Sequence, residues 1–107
     1  MKHLDKFELH DAIIHRTAID YPRKTVQIDI AYYPEPVHAK TRRNASILFE
    51  GVRSISHSAD FAHLANNASA GNINYWAPAS KSGVTFIYLV NGVISVDARK
   101  VSMKAKR

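Results

Sequence analysis

The sequence predicts an α+β domain that is mainly β: an antiparallel sheet of five or six strands with one short helix. Three observations predict this fold. Apolar and polar residues alternate along 25–33, two β-rich runs flank an Asn-Gly pair, and a single segment has helical spacing. The length of 107 residues suits one core. We therefore expect a single compact domain over residues 1–100.

The first three strands are expected in the first half of the chain. Alternation in ELHDAIIHRTAID predicts a strand over 8–20 that ends at the turn 21–24, and TVQIDIAYY predicts a half-buried strand over 25–33. ASILFEGVRSIS predicts a third strand over 45–56, with Phe49 and Val52 on opposite faces. Gly51 lies between them, where a bulge or bend would fit.

The second half of the chain predicts a helix and a hairpin. SADFAHLANNA has its apolar residues at helical spacing and predicts a short helix over 59–68. TFIYLV and VISVDA flank Asn91-Gly92, a pair that favours a two-residue type I′ turn, because both turn positions need positive φ. In the hairpin, Ile87 and Leu89 are expected to face the core, whereas Phe86 and Tyr88 are expected to face outward. Replacing Ile28, Leu89 or Phe61 with Ala is expected to cost about 2–5 kcal/mol each, as for buried residues.

The basic residues are unevenly distributed. The net charge is +6, and five of the 15 Lys and Arg residues fall in the last nine positions. Residues 101–107 are therefore expected to be a solvated basic tail. A smaller cluster comprises Lys40, Arg42 and Arg43. If these residues and the tail share one face, the protein would bind nucleic acid or another polyanion.

Composition argues against several protein classes. The chain has no Cys, which excludes disulfides and thiolate chemistry. It has no apolar run long enough to span a bilayer and no apolar core of a secretory signal near its start, so we expect no membrane association and a cytoplasmic location.

The polar stretch near the start is the first candidate site. His10 and Asp11 form a candidate polar site, and a small enzyme could use them with Glu8. The preferred interpretation is that these groups make local hydrogen bonds at a strand entry. His10 and His15 would lie on opposite faces of a strand, so they cannot share a metal ion. We predict no bound metal and no cofactor.

The segment AGNINYWAPASKSG is the second candidate site. It is expected to be an ordered loop with at most one short strand, and its candidate partner-binding residues are Asn72, Asn74, Tyr75 and Trp76. Tyr and Trp offer a large contact area at low entropic cost. The alternative is that Trp76 is buried beneath the loop and closes one end of the sheet.

Four motifs, the LHDA start, LFEGVRSIS, the AGNINYW segment and the Asn-Gly hairpin, occur together between residues 7 and 98. In this order they resemble small uncharacterised bacterial domains, some of which are encoded near polymorphic toxins and are regarded as candidate immunity proteins. The resemblance implies a bacterial cytosolic domain with no assigned catalytic residues. Asp11, Gly51, Gly71 and Asn72 match the pattern as framework positions.

These observations predict a non-catalytic protein-interaction domain that binds a protein partner, such as an immunity-type inhibitor. The first alternative is a polyanion-binding protein that uses the basic tail. The weaker alternative is a small enzyme with its site near His10.

Overall fold

The computed structural model describes residues 4, 7–34, 41–59, 61 and 72–105. The six strands in this part are β1 (Ile13–Asp20), β2 (Thr25–Tyr32), β3 (Arg43–Ala59), β4 (Ile73–Ala77), β5 (Gly83–Leu89) and β6 (Gly92–Ala105). They form one antiparallel sheet in the order β1-β2-β3-β6-β5-β4, which confirms the predicted fold class. The predicted helix over 59–68 lies outside the described residues, apart from Ala59, which ends β3, and Phe61. Within these ranges, the structure has no helix of the length and apolarity that a membrane span needs.

The two long strands β3 and β6 hold the sheet together. They pair with each other from Ala45–Ala105 to Ala59–Gly92. By contrast, β2 pairs with only residues 43–50 of β3, and β5 pairs with only residues 92–98 of β6. The sheet therefore consists of two four-stranded halves that share the paired strands β3 and β6.

A local reversal of faces in β3 lets both halves cover one core. Gly51 has φ +62°, and Arg53 is the extra residue of a bulge. A regular strand would place Phe49 and Val52 on opposite faces, as the sequence predicted. Both instead pack against the same buried cluster, so this expectation is wrong. The cause is the left-handed backbone at Gly51, which interrupts the two-residue alternation.

One cluster of buried residues lies inside the curled sheet and includes residues of every strand except β1, whose partly buried Ile14 packs against it. Ile28 is fully buried and Leu89 is 9% exposed, as predicted. Phe61 is 79% exposed, so its assignment to the core is wrong. The N-terminal segment contributes Leu9 and Ala12, both fully buried, although the sequence did not predict that this segment packs on the core.

The hairpin of β5 and β6 has the predicted faces but a different turn. Leu89 pairs with Gly92, so the turn residues are Val90 and Asn91. Gly92 has φ +156°, whereas Asn91 does not have positive φ, and the predicted type I′ turn at Asn91-Gly92 is therefore wrong. Gly92 is needed for a different reason. A Cβ at this position would lie 2.2 Å from the Ser58 carbonyl oxygen of the neighbouring strand.

The basic C-terminal end is ordered through Ala105. Residues 101–105 continue β6 and pair with β3, and Met103 opposite Ile47 is 2% exposed. The expected solvated tail from residue 101 is therefore wrong for these five residues. The reason is that Val101 and Met103 face the core, whereas the flanking Lys100 and Lys104 face solvent. Lys106 and Arg107 lie outside the described residues.

We predict that Gly92→Ala destabilises the protein more than Gly83→Ala. Both glycines have positive φ, but a Cβ at Gly83 would meet only the Ala79 Cβ, at 3.9 Å. The difference between the two variants therefore isolates the clash with Ser58, and we expect it to be about 1–3 kcal/mol of unfolding free energy, as for overpacking. Urea unfolding measures both values. Equal losses would show that backbone strain alone, and not close approach, requires Gly92.

We predict that Met103→Ala lowers the unfolding free energy by about 2–5 kcal/mol, because it empties a buried site in β6. Ser102→Ala is the matched control, since the adjacent side chain points to the other face, and we expect a change within about 0.5 kcal/mol. Chemical unfolding of both variants tests this. A negligible loss for Met103→Ala would show that the end of β6 is detached in solution.

Candidate interaction surface

The segment 7–12 lies along the outer edge of β4. The Asp11 N–H donates to the Ile73 carbonyl at 2.8 Å, and the Ile73 N–H donates to the Ala12 carbonyl at 2.9 Å. Asp11 has φ +65°, and the Ala12 N–H closes a turn on the Leu9 carbonyl at 2.9 Å. The left-handed backbone of Asp11 interrupts the strand that the sequence predicted over 8–20. For this reason β1 starts only at Ile13.

The candidate polar site makes local hydrogen bonds on this segment. The His10 N–H donates to the Glu8 carboxylate at 3.0 Å, and His10 Nδ1 lies 2.9 Å from the Asn74 carbonyl oxygen. That oxygen only accepts, so Nδ1 carries the proton in this contact. His10 Nε2 is 3.6 Å from the Asp11 carboxylate, and both side chains are more than half exposed. The two candidate sites are therefore adjacent, because His10 contacts Asn74.

Among the described residues around His10, the structure has neither a metal-binding geometry nor a buried acid–base pair. Among the described residues, no three His, Asp or Glu side chains are placed to hold one metal ion. His15 is the bulged residue of β1, and His57 lies near the end of β3 opposite Ile94. An open groove of about 480 Å³ lies elsewhere, at the β1–β2 turn, and Asp20 and Tyr21 are the ionisable residues among its described lining.

Arg42 holds the segment 7–12 in place. Its guanidinium donates to the Asp11 carbonyl oxygen from Nε at 3.3 Å and from Nη2 at 3.1 Å. It also lies over the Tyr33 ring, 4.7 Å from the centroid, in a cation–π contact. Arg43 opens β3 opposite Tyr32, and Lys40 lies outside the described residues. Arg42, one of the three residues proposed for polyanion binding, thus has a structural role.

Trp76 is a packing residue. It faces the core, is 8% exposed, and its Nε1–H donates to the Phe7 carbonyl at 2.9 Å. The Phe7 ring in turn meets Tyr32 edge-on, at 6.0 Å between centroids. The expectation that Trp76 is a surface anchor is therefore corrected, because the side chain joins the N-terminal segment to β4. Asn72 also acts through its backbone, since its carbonyl accepts the Val90 N–H at 3.0 Å.

Three aromatic side chains on the outer face of the sheet form a continuous row. Tyr75 on β4 lies opposite Tyr88 on β5, with ring centroids 4.6 Å apart and planes 20° apart. Phe86, two residues before Tyr88, also stacks with Tyr88, with ring centroids 5.9 Å apart and planes 15° apart. We call Tyr75, Tyr88 and Phe86 the aromatic row. Tyr75 is 51% exposed and Phe86 is 38% exposed, and Val84, 41% exposed, extends the apolar surface along β5.

The surface around the aromatic row carries little charge. The neighbouring outward positions on β6 and β3 are mostly serines and one valine, in the register Val93–Ser58 and Ser95–Ser56. Asp97 is the one charged residue among the described outward positions of β4, β5 and β6 beside the row. An aromatic centre with few charges is typical of the core of a protein interface.

Arg53 neutralises Asp97 at one end of this face. Two guanidinium nitrogens of Arg53 donate to Asp97 Oδ1 at 2.7 and 3.2 Å, and one also donates to the Ser82 hydroxyl at 2.8 Å. The hydrogen bond from Arg53 lowers the pKa of the Asp97 carboxyl below its usual value. The ion pair is therefore present at neutral pH and weakens as the pH falls through that lowered pKa.

The aromatic row includes two residues that sequence reasoning did not select as a site. Tyr75 was a candidate partner-binding residue, but Phe86 and Tyr88 were assigned only to the outward face of the hairpin. The sequence did contain one signal for this site: β5 has two aromatic residues, Phe86 and Tyr88, at outward positions where polar residues are usual. Their contact with Tyr75 was not predictable, because the sequence did not define the register of β4 against β5.

Comparison of the chain with protein-family models, with curated proteins and with solved structures gives no match. The functional argument therefore depends on the arrangement of the described residues.

We predict that Trp76→Phe lowers the unfolding free energy by about 1–3 kcal/mol, because the Phe7 carbonyl loses its donor and the smaller ring leaves a gap. Tyr75→Phe is the control on the adjacent outward position, and removing its hydroxyl is expected to change stability within about 0.5 kcal/mol. Thermal and urea unfolding measure both variants. Similar small losses would show that the contact between Trp76 and Phe7 does not hold the N-terminal segment.

Proposed function

We propose that the protein is a non-catalytic interaction domain that binds a partner protein through the aromatic row. The observation that carries this proposal is the stacking of three partly exposed aromatic rings on a rigid sheet, within a surface that has little charge. Tyr and Phe side chains already held in place lose little conformational freedom on binding, which favours affinity.

The orientation of the rings supports a protein partner over single-stranded nucleic acid. Tyr88 stacks with both Tyr75 and Phe86, so its ring already contacts two neighbouring rings. Binding of successive bases needs open ring faces. The row also carries two phenol hydroxyls, which can exchange hydrogen bonds with polar groups of a protein surface. The shortage of positive charge beside the row also disfavours phosphate binding.

A finer proposal is that the partner is a bacterial toxin and that the domain is an immunity-type inhibitor in the bacterial cytoplasm. The resemblance of the sequence motifs to candidate immunity proteins supports it. An inhibitor of this type covers a surface of its target and needs rigid anchors but no catalytic group. The test is co-expression with the toxic product of an adjacent gene. Rescue of growth by the wild-type protein, but not by Tyr75→Ala, would support the proposal.

Partner capture tests the general proposal. Tyr75→Ala should weaken binding about 30-fold or more, the effect of losing an interface hot spot of about 2 kcal/mol, with little change in melting temperature. Tyr21→Ala is the matched control, because Tyr21 is 79% exposed on the β1–β2 turn, away from the row. Proteins retained by immobilised wild type and by Tyr21→Ala, but lost with Tyr75→Ala, are the expected result. Equal retention by all three would exclude the row as the interface.

A further inference from the structure

The C-terminal part of β6 is an edge of the sheet. Residues 100–105 pair with β3 on one side, whereas on the other side β5 begins only at Gly83, opposite Ala98. In the described part of the chain, the structure has no backbone hydrogen bond on the other side of 99–105. In an antiparallel strand, every second residue turns both its N–H and its C=O away from a given neighbour. This edge thus presents a row of backbone donors and acceptors to a possible added strand.

The same edge is strongly positive. Residues 99–105 include Arg99, Lys100 and Lys104 and no acidic residue. Lys100 and Lys104 are exposed on the outer face, about 13 Å apart at the usual rise per residue. Lys100 has one acidic neighbour, the Glu50 carboxylate at 3.8 Å, and both groups are solvent-accessible, so this pair is weak.

We propose that the 99–105 edge of β6 binds an acidic, extended segment of a partner protein as an added strand. This inference rests on the proposed function in one respect, that the ligand is a protein. It uses a surface separate from the aromatic row. Backbone pairing supplies the contact along the edge, and carboxylates opposite the lysines supply selectivity.

Charge and hydrogen-bonding capacity select this occupant over two others. A second copy of the chain would bring the same cations against the edge, and like charges on edge strands prevent such pairing. A nucleic acid backbone offers phosphate oxygens that accept hydrogen bonds, but it lacks regularly spaced donors for the outward carbonyls. An acidic peptide satisfies both the backbone groups and the charges.

The geometry also defines the pattern of the segment. Lys100, Ser102 and Lys104 point outward, whereas Val101 and Met103 point to the core side. An added strand alternates in the same way. Acidic residues at every second position of the added strand would therefore lie beside the lysines on the outer face. Apolar β-branched residues between them would extend the core side of the sheet.

The experiment uses a labelled nine-residue peptide of alternating Glu and Val with blocked ends, titrated with the full-length protein and followed by fluorescence anisotropy. We expect saturable binding that weakens as salt is added. A peptide with N-methyl groups on alternate residues keeps its charge but loses its donors on one edge, and it should bind at least about tenfold more weakly. A peptide with Lys in place of Glu should not bind.

Charge reversal on the protein provides the second arm. The double variant Lys100→Glu and Lys104→Glu should lose about tenfold or more in affinity for the Glu peptide and gain affinity for the Lys peptide. The matched control is Arg23→Glu with Lys81→Glu, which changes the net charge equally on exposed turns. Unchanged melting temperatures would show that both double variants remain folded. If the variant with Glu at positions 100 and 104 does not fold, the double variant Lys100→Gln and Lys104→Gln replaces it.

Three results would overturn the inference. They are no saturable binding up to about 1 mM peptide, equal binding of the N-methylated peptide or of an oligonucleotide of the same charge, and equal loss of affinity in the two double variants. The second result would indicate a general polyanion site. The peptide assay does not involve Tyr75, so these results would not contradict the proposal that the aromatic row binds a partner. The capture test with Tyr75→Ala is likewise independent of Lys100 and Lys104.

Discussion

The pairing of β3 with β6 is the interaction on which the rest of the structure depends. It joins the two halves of the sheet, and the reversal at Gly51 lets both halves bury their apolar faces in one core. Gly51 has φ +62°, and a Cβ there would lie 2.8 Å from the Arg99 Cβ on the neighbouring strand. A larger residue would be strained in its backbone and would also push β6 away. A domain of this size cannot form two separate cores, so this bend is a requirement of the fold.

The edges of the curled sheet are protected in different ways. The N-terminal segment covers β4 through the hydrogen bonds of Asp11 and Ile73, and Trp76 holds it there through the Phe7 carbonyl. β1 carries a bulge at His15, a feature that discourages strand addition. The end of β6 carries cations instead. Charge excludes copies of the chain but admits an oppositely charged strand, so this edge suits selective strand binding better than the others.

The outer face of the sheet divides into two chemical regions. Near β1 and β2 it is polar, with Asp29 accepting hydrogen bonds from Gln27 at 2.9 Å and from Ser46 at 2.7 Å. On β4 and β5 it is aromatic, although these side chains lie outside the core. Partly exposed aromatic residues contribute less to folding than buried ones, so their clustering at one place favours a role in binding. The polar region shows that the fold itself does not need an apolar outer face.

Local patterns were sufficient to predict most strands, because alternation along a segment such as 25–33 records which face is buried regardless of the neighbouring strand. The same reasoning identified Ile28 as core and Phe86 as outward. It failed where long-range contacts decide the outcome. Met103 is ordered because β3 extends far enough to pair with it, and Trp76 is buried because it faces the core and the N-terminal segment lies along the edge of β4. The aromatic row and the positive edge likewise exist only in the folded chain, because strand register brings distant residues together and the ends of neighbouring strands leave part of β6 unpaired.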